Sequence, residues 1–435
     1  MLLHHATCTT RKTLLPPAPR FYRLDMRIPS LVSATLLSAT LVPATLLPAT
    51  LLAIPFLGMA AAEPVIKLVS SLPRTGSANA QTTTIVNGIR LALKESGEVV
   101  NGFRIKYEDW DDASPERGQW DPAVENANAD KAIADPDVMA YIGTYNSGAA
   151  KIVMAKLNQA GLLMISPGNT AVGLTKPGSS ATEPGCYRPT GKVTYFRVVP
   201  ADDLQGRVGA DFAKELGIKR VFVLHDRELY GQGIADQFKV TAAKLGVDVV
   251  GYEGIDGKAA NYKSLITKIR ALSPDLVYFG GTTQTNASQI AKDMMAGGLK
   301  AKFMVPDGCR EDAFIEAAGP GVLDGRTFVT FGGVPPEQLS GKGATFLNAY
   351  RAAFQADPQA YAVYGYEVGR VLLDALKRAG KKDRQALITA VATTKDFPGT
   401  LGTWSFDANG DTSLAVLSVS TVEAGKFKPL KVIGQ

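Results

Sequence analysis

Cysteine and histidine are scarce in this chain, and their scarcity excludes several kinds of site. Of the 435 residues, 3 are Cys and 3 are His, and beyond residue 62 only Cys186, Cys309 and His225 remain. A metal site of several histidines is therefore impossible in that region, and a Ser-His-Asp triad would depend on His225 alone. Cys186 and Cys309 either form one disulfide, as an oxidising compartment permits, or are two unpaired thiols.

Motifs of nucleotide and acyl-transfer chemistry are absent as well. The sequence has no Gly-x-Ser-x-Gly elbow, no Walker-type phosphate loop and no Gly-x-Gly-x-x-Gly turn. Residues 407–411 (Asp-Ala-Asn-Gly-Asp) are spaced like the start of a calcium loop, but Thr412 and Ser418 replace its Gly and Glu, which favours a β-turn. No Lys/Arg block with interleaved aromatic residues appears beyond residue 62. We therefore predict no enzymatic activity, no cofactor, no metal and no nucleic-acid partner.

The first 62 residues differ in composition from the rest of the chain. Five basic residues and one acid precede a stretch without charge from Leu31 to Met59, which ends in Ala60-Ala61-Ala62. This order predicts a cleaved secretory signal peptide over residues 1–62, with Met26 as an alternative start. A membrane anchor is the other interpretation, but three prolines interrupt the uncharged stretch. Without this segment the net charge falls from +6 to about +2.

From Val65 onward, short apolar runs alternate with longer amphipathic segments. Ile85, Ile89 and Leu93, for example, recur four apart, as one face of a helix requires. Such alternation predicts βαβ units, and hence an α/β fold with mostly parallel sheets. The alternation stops in a stretch rich in Gly and Pro over residues 167–194 and then starts again, which predicts a second lobe.

After Thr330 the pattern changes to helices followed by strands. Helices are predicted over residues 344–354, 361–379 and 384–391, and strands over 399–406, 414–422 and 427–432. Because the second lobe is already complete, we expect the chain to return to the first lobe near Phe331 and to leave it near Phe406. The predicted division is residues 63–199 plus 332–405 for lobe 1, and 200–331 plus 406–435 for lobe 2.

Two small polar loops follow strands of the first lobe. Residues 143–148 (Gly-Thr-Tyr-Asn-Ser-Gly) follow one strand and lead into a helix, and residues 166–170 (Ser-Pro-Gly-Asn-Thr) follow the next. Open α/β sheets bind ligands at the carboxyl ends of their strands, and a helix N-terminus favours an anion. Ser147 either caps its helix or, with the second loop, binds a carboxylate.

Three further loops follow strands of the second lobe: residues 225–231, 280–283 and 306–308. Asp307 lies in the last of them. An acid at this position either stabilises a turn or contacts a ligand, and the sequence favours neither role. Tyr230 packs in the lobe or lies over a ligand, and the glycine that follows it favours the second role.

Five segments, taken in order, resemble the periplasmic binding proteins for leucine, isoleucine and valine. They are Ile-Gly-Thr-Tyr-Asn-Ser (142–147), Leu-Leu-Met-Ile-Ser-Pro (162–167), His-Asp-x-x-x-Tyr-Gly-x-Gly (225–233), Tyr-Phe-Gly-Gly (278–281) and Phe-Met-x-Pro-Asp-Gly (303–308). The resemblance implies two Rossmann-like lobes, joined by three hinge crossovers, that close on a ligand.

The resemblance also implies roles for individual residues. Ser147 and Thr170 match the residues that hold the ligand carboxylate, Asp307 the acid that faces its ammonium, and Tyr230 a tyrosine that covers it. Three further site residues are expected. Gly168 matches a backbone contact of the ligand, Tyr145 lies where the side-chain pocket begins, and Thr282 replaces a family tyrosine.

The family pattern is not complete, so the ligand stays open. Thr282 widens or polarises the pocket, and Ser114 and Asn146 replace a cysteine pair of some relatives. We expect a monomeric periplasmic protein that binds a branched-chain or related amino acid and delivers it to an ABC transporter permease. The alternatives are a binding protein for an amide, urea or an aromatic acid, and a ligand-sensing receptor module of the same fold.

Overall fold

The computed structural model of the protein describes residues 64–434, and the predicted signal peptide lies outside this range. The strands of the described chain are β1 Val65–Leu72, β2 Val99–Val100, β3 Phe103–Asp111, β4 Ala113–Ser114, β5 Gln119–Trp120, β6 Val138–Gly143, β7 Leu163–Ser166, β8 Tyr195–Arg197, β9 Arg220–His225, β10 Asp248–Gly254, β11 Leu276–Gly280, β12 Lys302–Val305, β13 Thr327–Phe331, β14 Phe397–Pro398, β15 Thr403–Trp404, β16 Leu417–Glu423 and β17 Lys426–Ile433. Its α-helices are α1 Asn79–Glu95, α2 Pro122–Ala134, α3 Ser147–Gln159, α4 Asp202–Glu215, α5 Leu229–Lys244, α6 Lys263–Ala271, α7 Ala287–Ala296, α8 Asp312–Ala318, α9 Lys342–Phe354, α10 Ala362–Ala379 and α11 Arg384–Ala392.

Two large sheets organise these elements. The first has the order β2-β3-β1-β6-β7-β8, and all its strands are parallel except β2. The second has the order β10-β9-β11-β12-β13-β16-β17, in which β16 runs antiparallel to both of its neighbours, β13 and β17. Helices cover the faces of both sheets, as parallel sheets require. The predicted α/β fold with two mostly parallel sheets is therefore confirmed.

The chain passes between the two sheets three times. It leaves the first sheet after β8, builds β9 to β13, and returns with α9, α10 and α11. Helix α10 then packs along α1, where Gly88 and Gly365 permit a close approach: a Cβ at Gly88 would lie 2.2 Å from the carbonyl oxygen of Ala362. After β15 the chain crosses a third time to add β16 and β17 to the second sheet. The two lobes with three crossovers are thus confirmed.

Several elements differ from the sequence-based expectation. Strand β13 and helix α8 lie in a stretch without a predicted element, and each is short, with 5 and 7 residues respectively. The strand predicted over 399–406 is instead the hairpin of β14 and β15. The hairpin folds around the buried carboxylate of Glu367, which accepts hydrogen bonds from the Thr400 amide (3.0 Å) and the Trp404 indole (2.5 Å).

The cysteines of the described chain are both free. Cys309 lies in the core of the second lobe, and Cys186 packs at the edge of the first-lobe core. Of the two alternatives, a disulfide or two unpaired thiols, the structure therefore has the unpaired thiols. Within residues 64–434, no helix combines the length and apolarity that a bilayer span requires.

Candidate functional site

The loops at the carboxyl ends of the strands meet around one small cavity between the lobes. The cavity has a volume of about 20 Å³, which is room for about one water molecule. Its lining residues are Tyr145, Asn146, Ser147, Gly168, Tyr230, Thr282, Gly308 and Tyr361. Five of the seven predicted site residues are in this set, and the other two, Thr170 and Asp307, lie behind it.

Ser147 connects the two loops of the first lobe. It is the first residue of α3 and is 2% exposed. Its hydroxyl oxygen accepts a hydrogen bond from the amide of Ala171 at 3.3 Å. The start of α3 therefore faces the cavity beside the second loop, and a helix N-terminus in this position attracts an anionic group.

The second loop is held by side chains that the sequence did not mark as functional. Ser166 donates a hydrogen bond to the carbonyl of Thr144 (2.9 Å) and accepts one from the Asn169 amide (2.8 Å). Asn169, fully buried, donates to the carbonyl of Tyr145 (3.0 Å). These contacts fix Gly168 under the Tyr145 ring, where a Cβ would lie 3.2 Å from that ring. A larger residue at position 168 would displace Tyr145.

Thr170 is buried beside the start of α4 and does not line the cavity. Its carbonyl accepts a hydrogen bond from the Asp202 amide at 2.9 Å, and its side chain lies next to the Asp202 carboxyl. Burial and the nearby Asp307 raise the pKa of Asp202, while Thr170 lowers it. The structure thus brings Thr170 close to Ser147 through Ala171, but turns its side chain towards Asp202.

Asp307 lies at the back of the cavity with three donors on its carboxylate. It is 2% exposed, and it accepts hydrogen bonds from Tyr230, Tyr361 and, at 3.0 Å, Gln205. Burial raises the pKa of Asp307, and the three donors oppose that rise. The Tyr230 hydroxyl also accepts a hydrogen bond from the Gly308 amide at 3.3 Å. Asp307 is therefore in contact with the cavity lining rather than part of a free surface turn.

Tyr361 is a site residue that the sequence reasoning missed. It lies directly before α10 on the first lobe, and its hydroxyl reaches Asp307 on the second. Its ring meets the ring of Tyr145 edge to face, with centroids 5.7 Å apart. The sequence predicts a helix that begins at Tyr361, with Tyr364 and Tyr366 close behind. Helical periodicity does not tell which of these three tyrosines faces the cleft.

Thr282 closes the lining on the side of the second lobe. Its amide donates to the hydroxyl of Thr285 (2.9 Å), and the two hydroxyls are 3.2 Å apart. The Thr285 hydroxyl in turn donates to the buried carboxyl of Asp226 (2.9 Å), whose pKa burial raises to about 7. A methyl and a hydroxyl therefore stand at this edge of the cavity.

The chain matches the family model of the periplasmic binding proteins over residues 65–426. It is 32% identical over 364 residues to a Leu/Ile/Val-binding protein homologue of Brucella suis biovar 1, covering 83% of this chain and 91% of that protein. It is similar in structure to a leucine-binding protein of Thermotoga maritima (TM-score 0.75, 25% identity, 85% and 99% coverage). A branched-chain amino acid binding protein of Streptococcus pneumoniae in complex with isoleucine gives a TM-score of 0.74 at 25% identity, with 85% and 99% coverage.

Proposed function

The chain belongs to the periplasmic binding proteins, and we propose that it captures an α-amino acid between its lobes and delivers it to the permease of an ABC transporter. The relatives named above are described as binding leucine, isoleucine or valine, which supports a ligand of this class. We further propose that the protein is a periplasmic monomer and that it binds its ligand without chemical turnover.

The observation that carries this proposal is the opposed polarity of the two cavity walls. The first lobe presents Ser147 and the start of α3, which suit a carboxylate. The second lobe supplies the carboxylate of Asp307 directly behind Tyr230 and Gly308, which suits an ammonium. A zwitterion that contacts both walls binds the closed arrangement better than an open one, so ligand and closure favour each other.

A second ligand class has one observation in its favour. A carboxylate offers about four acceptor positions, and Tyr230, Tyr361 and Gln205 already occupy three of those on Asp307. Little acceptor capacity is left for an ammonium with three N–H groups. This favours a solute without an α-ammonium, such as an amide, urea or an aromatic acid, bound in the same cavity.

A thermal-shift screen of the purified protein distinguishes the two classes. A ligand that binds only the folded state raises the melting temperature with its concentration. We expect shifts with L-α-amino acids, and no shift with the corresponding carboxylic acids that lack the ammonium. Shifts confined to benzoate, acetamide or urea would replace the amino acid by the second class. Turnover of any bound compound would contradict the transport role.

A further inference from the structure

A group of polar side chains lies behind the cavity at the hydroxyl end of Tyr145, and we call it the distal cluster. Its members are Gln81 on α1, Tyr145 in the loop before α3, Gln284 in the turn after β11, and Glu311 directly before α8. Gln81 and Tyr145 belong to the part of the chain around the first sheet, and Gln284 and Glu311 to the part around the second. The cluster is therefore formed only where the two lobes meet.

The members of the distal cluster contact one another across the lobe boundary. The Gln284 side-chain amide donates to Glu311 Oε1 at 2.8 Å. The Gln81 amide donates to the carbonyl of Arg310 at 3.3 Å, one residue from Glu311. The Tyr145 hydroxyl lies beside Gln81, and burial together with the Glu311 carboxyl raises the pKa of Tyr145. The ring of the same tyrosine lines the cavity, so Tyr145 connects the cavity to the distal cluster.

Four polar atoms of the distal cluster lack a hydrogen-bond partner among residues 64–434. They are Gln81 Oε1, Gln284 Oε1, Glu311 Oε2 and Tyr145 Oη. Gln81, Glu311 and Tyr145 are 0%, 1% and 6% exposed. Buried polar atoms of native proteins nearly always have a partner, because an unpaired one keeps its full desolvation cost. Four such atoms grouped at the hydroxyl end of Tyr145, whose ring lines the cavity, point to a partner that comes from the ligand.

The chemistry of the four atoms specifies that partner. The two amide oxygens and the carboxylate oxygen only accept hydrogen bonds when Glu311 is ionised, and the tyrosine hydroxyl both donates and accepts. Burial raises the pKa of Glu311 to about 7, so a cation beside it would favour the ionised form. An aliphatic side chain would leave all these acceptors buried and unpaired, whereas a nitrogen group with several N–H donors would satisfy them.

We propose that the ligand ends, on the side remote from Ser147, in a nitrogen group with several N–H donors, which Glu311 and Gln81 accept. The group is an amide, an ammonium or a guanidinium, in place of the aliphatic side chain of leucine, isoleucine or valine. This inference rests on the proposed binding of a small solute in the cavity, but it does not require that the ligand be an α-amino acid.

Pairs of ligands with matched shape test the inference by calorimetric titration of the purified protein. The pairs are L-leucine with L-asparagine, L-norleucine with L-ornithine, and 4-methylbenzoate with 4-aminobenzoate, of which the last pair has no α-ammonium. A site built to hydrogen-bond a ligand strongly rejects the analogue that lacks the group. We expect the N–H member of at least one pair to bind at least about tenfold more tightly than its apolar member.

The three pairs separate failure of this inference from failure of the proposed amino-acid ligand. Preference for 4-aminobenzoate, without binding of any amino acid, would retain the distal cluster and discard the amino acid. Preference for leucine over asparagine and norleucine over ornithine would retain the amino acid and overturn the inference. Absence of binding by all three N–H members would also overturn it.

Variants of the distal cluster identify the kind of nitrogen group. Glu311→Gln keeps an acceptor but removes the charge, so we expect about a tenfold loss for a cationic ligand and less than about threefold for an amide. Gln81→Leu should lower the ratio of polar to apolar affinity for either kind of ligand. Glu316→Gln, an exposed acid on α8, is the matched control and should change neither ratio nor affinity. If both cluster variants melt like the original protein and keep its affinity ratio, the inference is wrong.

Discussion

Two groups of buried carboxylates in this protein have opposite surroundings. Asp411, in the segment of the third crossover, lies 2.7 Å from the buried guanidinium of Arg197. Asp112 and Glu125, near the carboxyl end of β1, lie beside each other, and neither has an ion pair with a cation among residues 64–434. Glu125 accepts hydrogen bonds from Ser71 (2.5 Å) and Tyr141 (2.8 Å). The carboxyl oxygens of Asp112 have no hydrogen-bond partner within residues 64–434.

The difference decides which form of each acid the fold prefers. Burial alone would raise the pKa of Asp411, but the Arg197 guanidinium outweighs it, so that the pKa is lowered and the carboxylate is ionised. Burial raises the pKa of Asp112, which Glu125 raises further, and burial raises the pKa of Glu125 to about 8. The acid pair therefore keeps at least one proton at neutral pH, whereas the crossover holds a full ion pair.

Arg197 also has a link to the site. Its guanidinium donates to the carbonyl of Ala171 at 2.8 Å, and the Ala171 amide donates to Ser147. The ion pair of the third crossover thus supports the loop that lines the cavity. In this comparison the charged carboxylate, Asp411, lies where the chain crosses between lobes, and the two acids with raised pKa values, Asp112 and Glu125, lie inside the first lobe.

Arg197→Met tests the paired region and should have the largest effect. The substitution leaves the Asp411 carboxylate buried without its cation, and breaking a buried ion pair in this way costs about 3–5 kcal/mol. We expect the free energy of unfolding, measured by urea titration, to fall by this amount. A second variant, Arg197→Met with Asp411→Leu, removes both charges and should recover part of the loss. An Arg197→Met protein as stable as the original would show that the pair contributes little.

Asp307→Ala tests a carboxylate whose partners are neutral donors rather than a cation. An amino-acid ligand would lose the acid that faces its ammonium, so its dissociation constant should rise at least about tenfold. A carboxylic acid without an ammonium should lose less affinity, and this comparison within one variant controls for disturbance of Tyr230 and Tyr361. Calorimetric titration of both ligands measures the difference. Unchanged affinity for the amino acid would remove Asp307 from its site.

Local patterns were sufficient for most of the fold and for part of the site. Alternation of apolar runs and helical periods predicted the two sheets, because each element buries one face against its neighbours. The polar loops at strand ends suggested Ser147 and Tyr230, because parallel strands bring those ends to one edge of a sheet, and the family resemblance added Gly168; all three line the cavity.

The remaining site residues depend on contacts between distant segments. Tyr361 reaches Asp307 only because the chain returns to the first lobe after β13 and the lobes then meet. Gln205 donates to the same carboxylate from the first turn of α4, which the sequence marks only as a helix start. No periodicity reveals these pairings, since they follow from how two separately folded sheets face each other. The division of the chain into lobes at residues 199, 331 and 405 stays a prediction.

Glu125→Gln tests the unpaired region and should have the smallest effect, with a sign that depends on pH. Because the pKa of Glu125 is raised in the folded state, its protonated form favours folding. That contribution is complete below the ordinary pKa of a glutamate and is lost as pH rises towards about 8. Glutamine cannot lose a proton, so the variant should gain at least about 1 kcal/mol relative to the original protein between pH 5 and pH 8. Urea titrations at both pH values measure this gain, and Glu116→Gln, an exposed acid nearby, should show none. If the stability of the variant relative to the original protein is the same at both pH values, Glu125 is ionised in the folded protein. The two groups of buried carboxylates would then have the same charge state, in spite of their different neighbours.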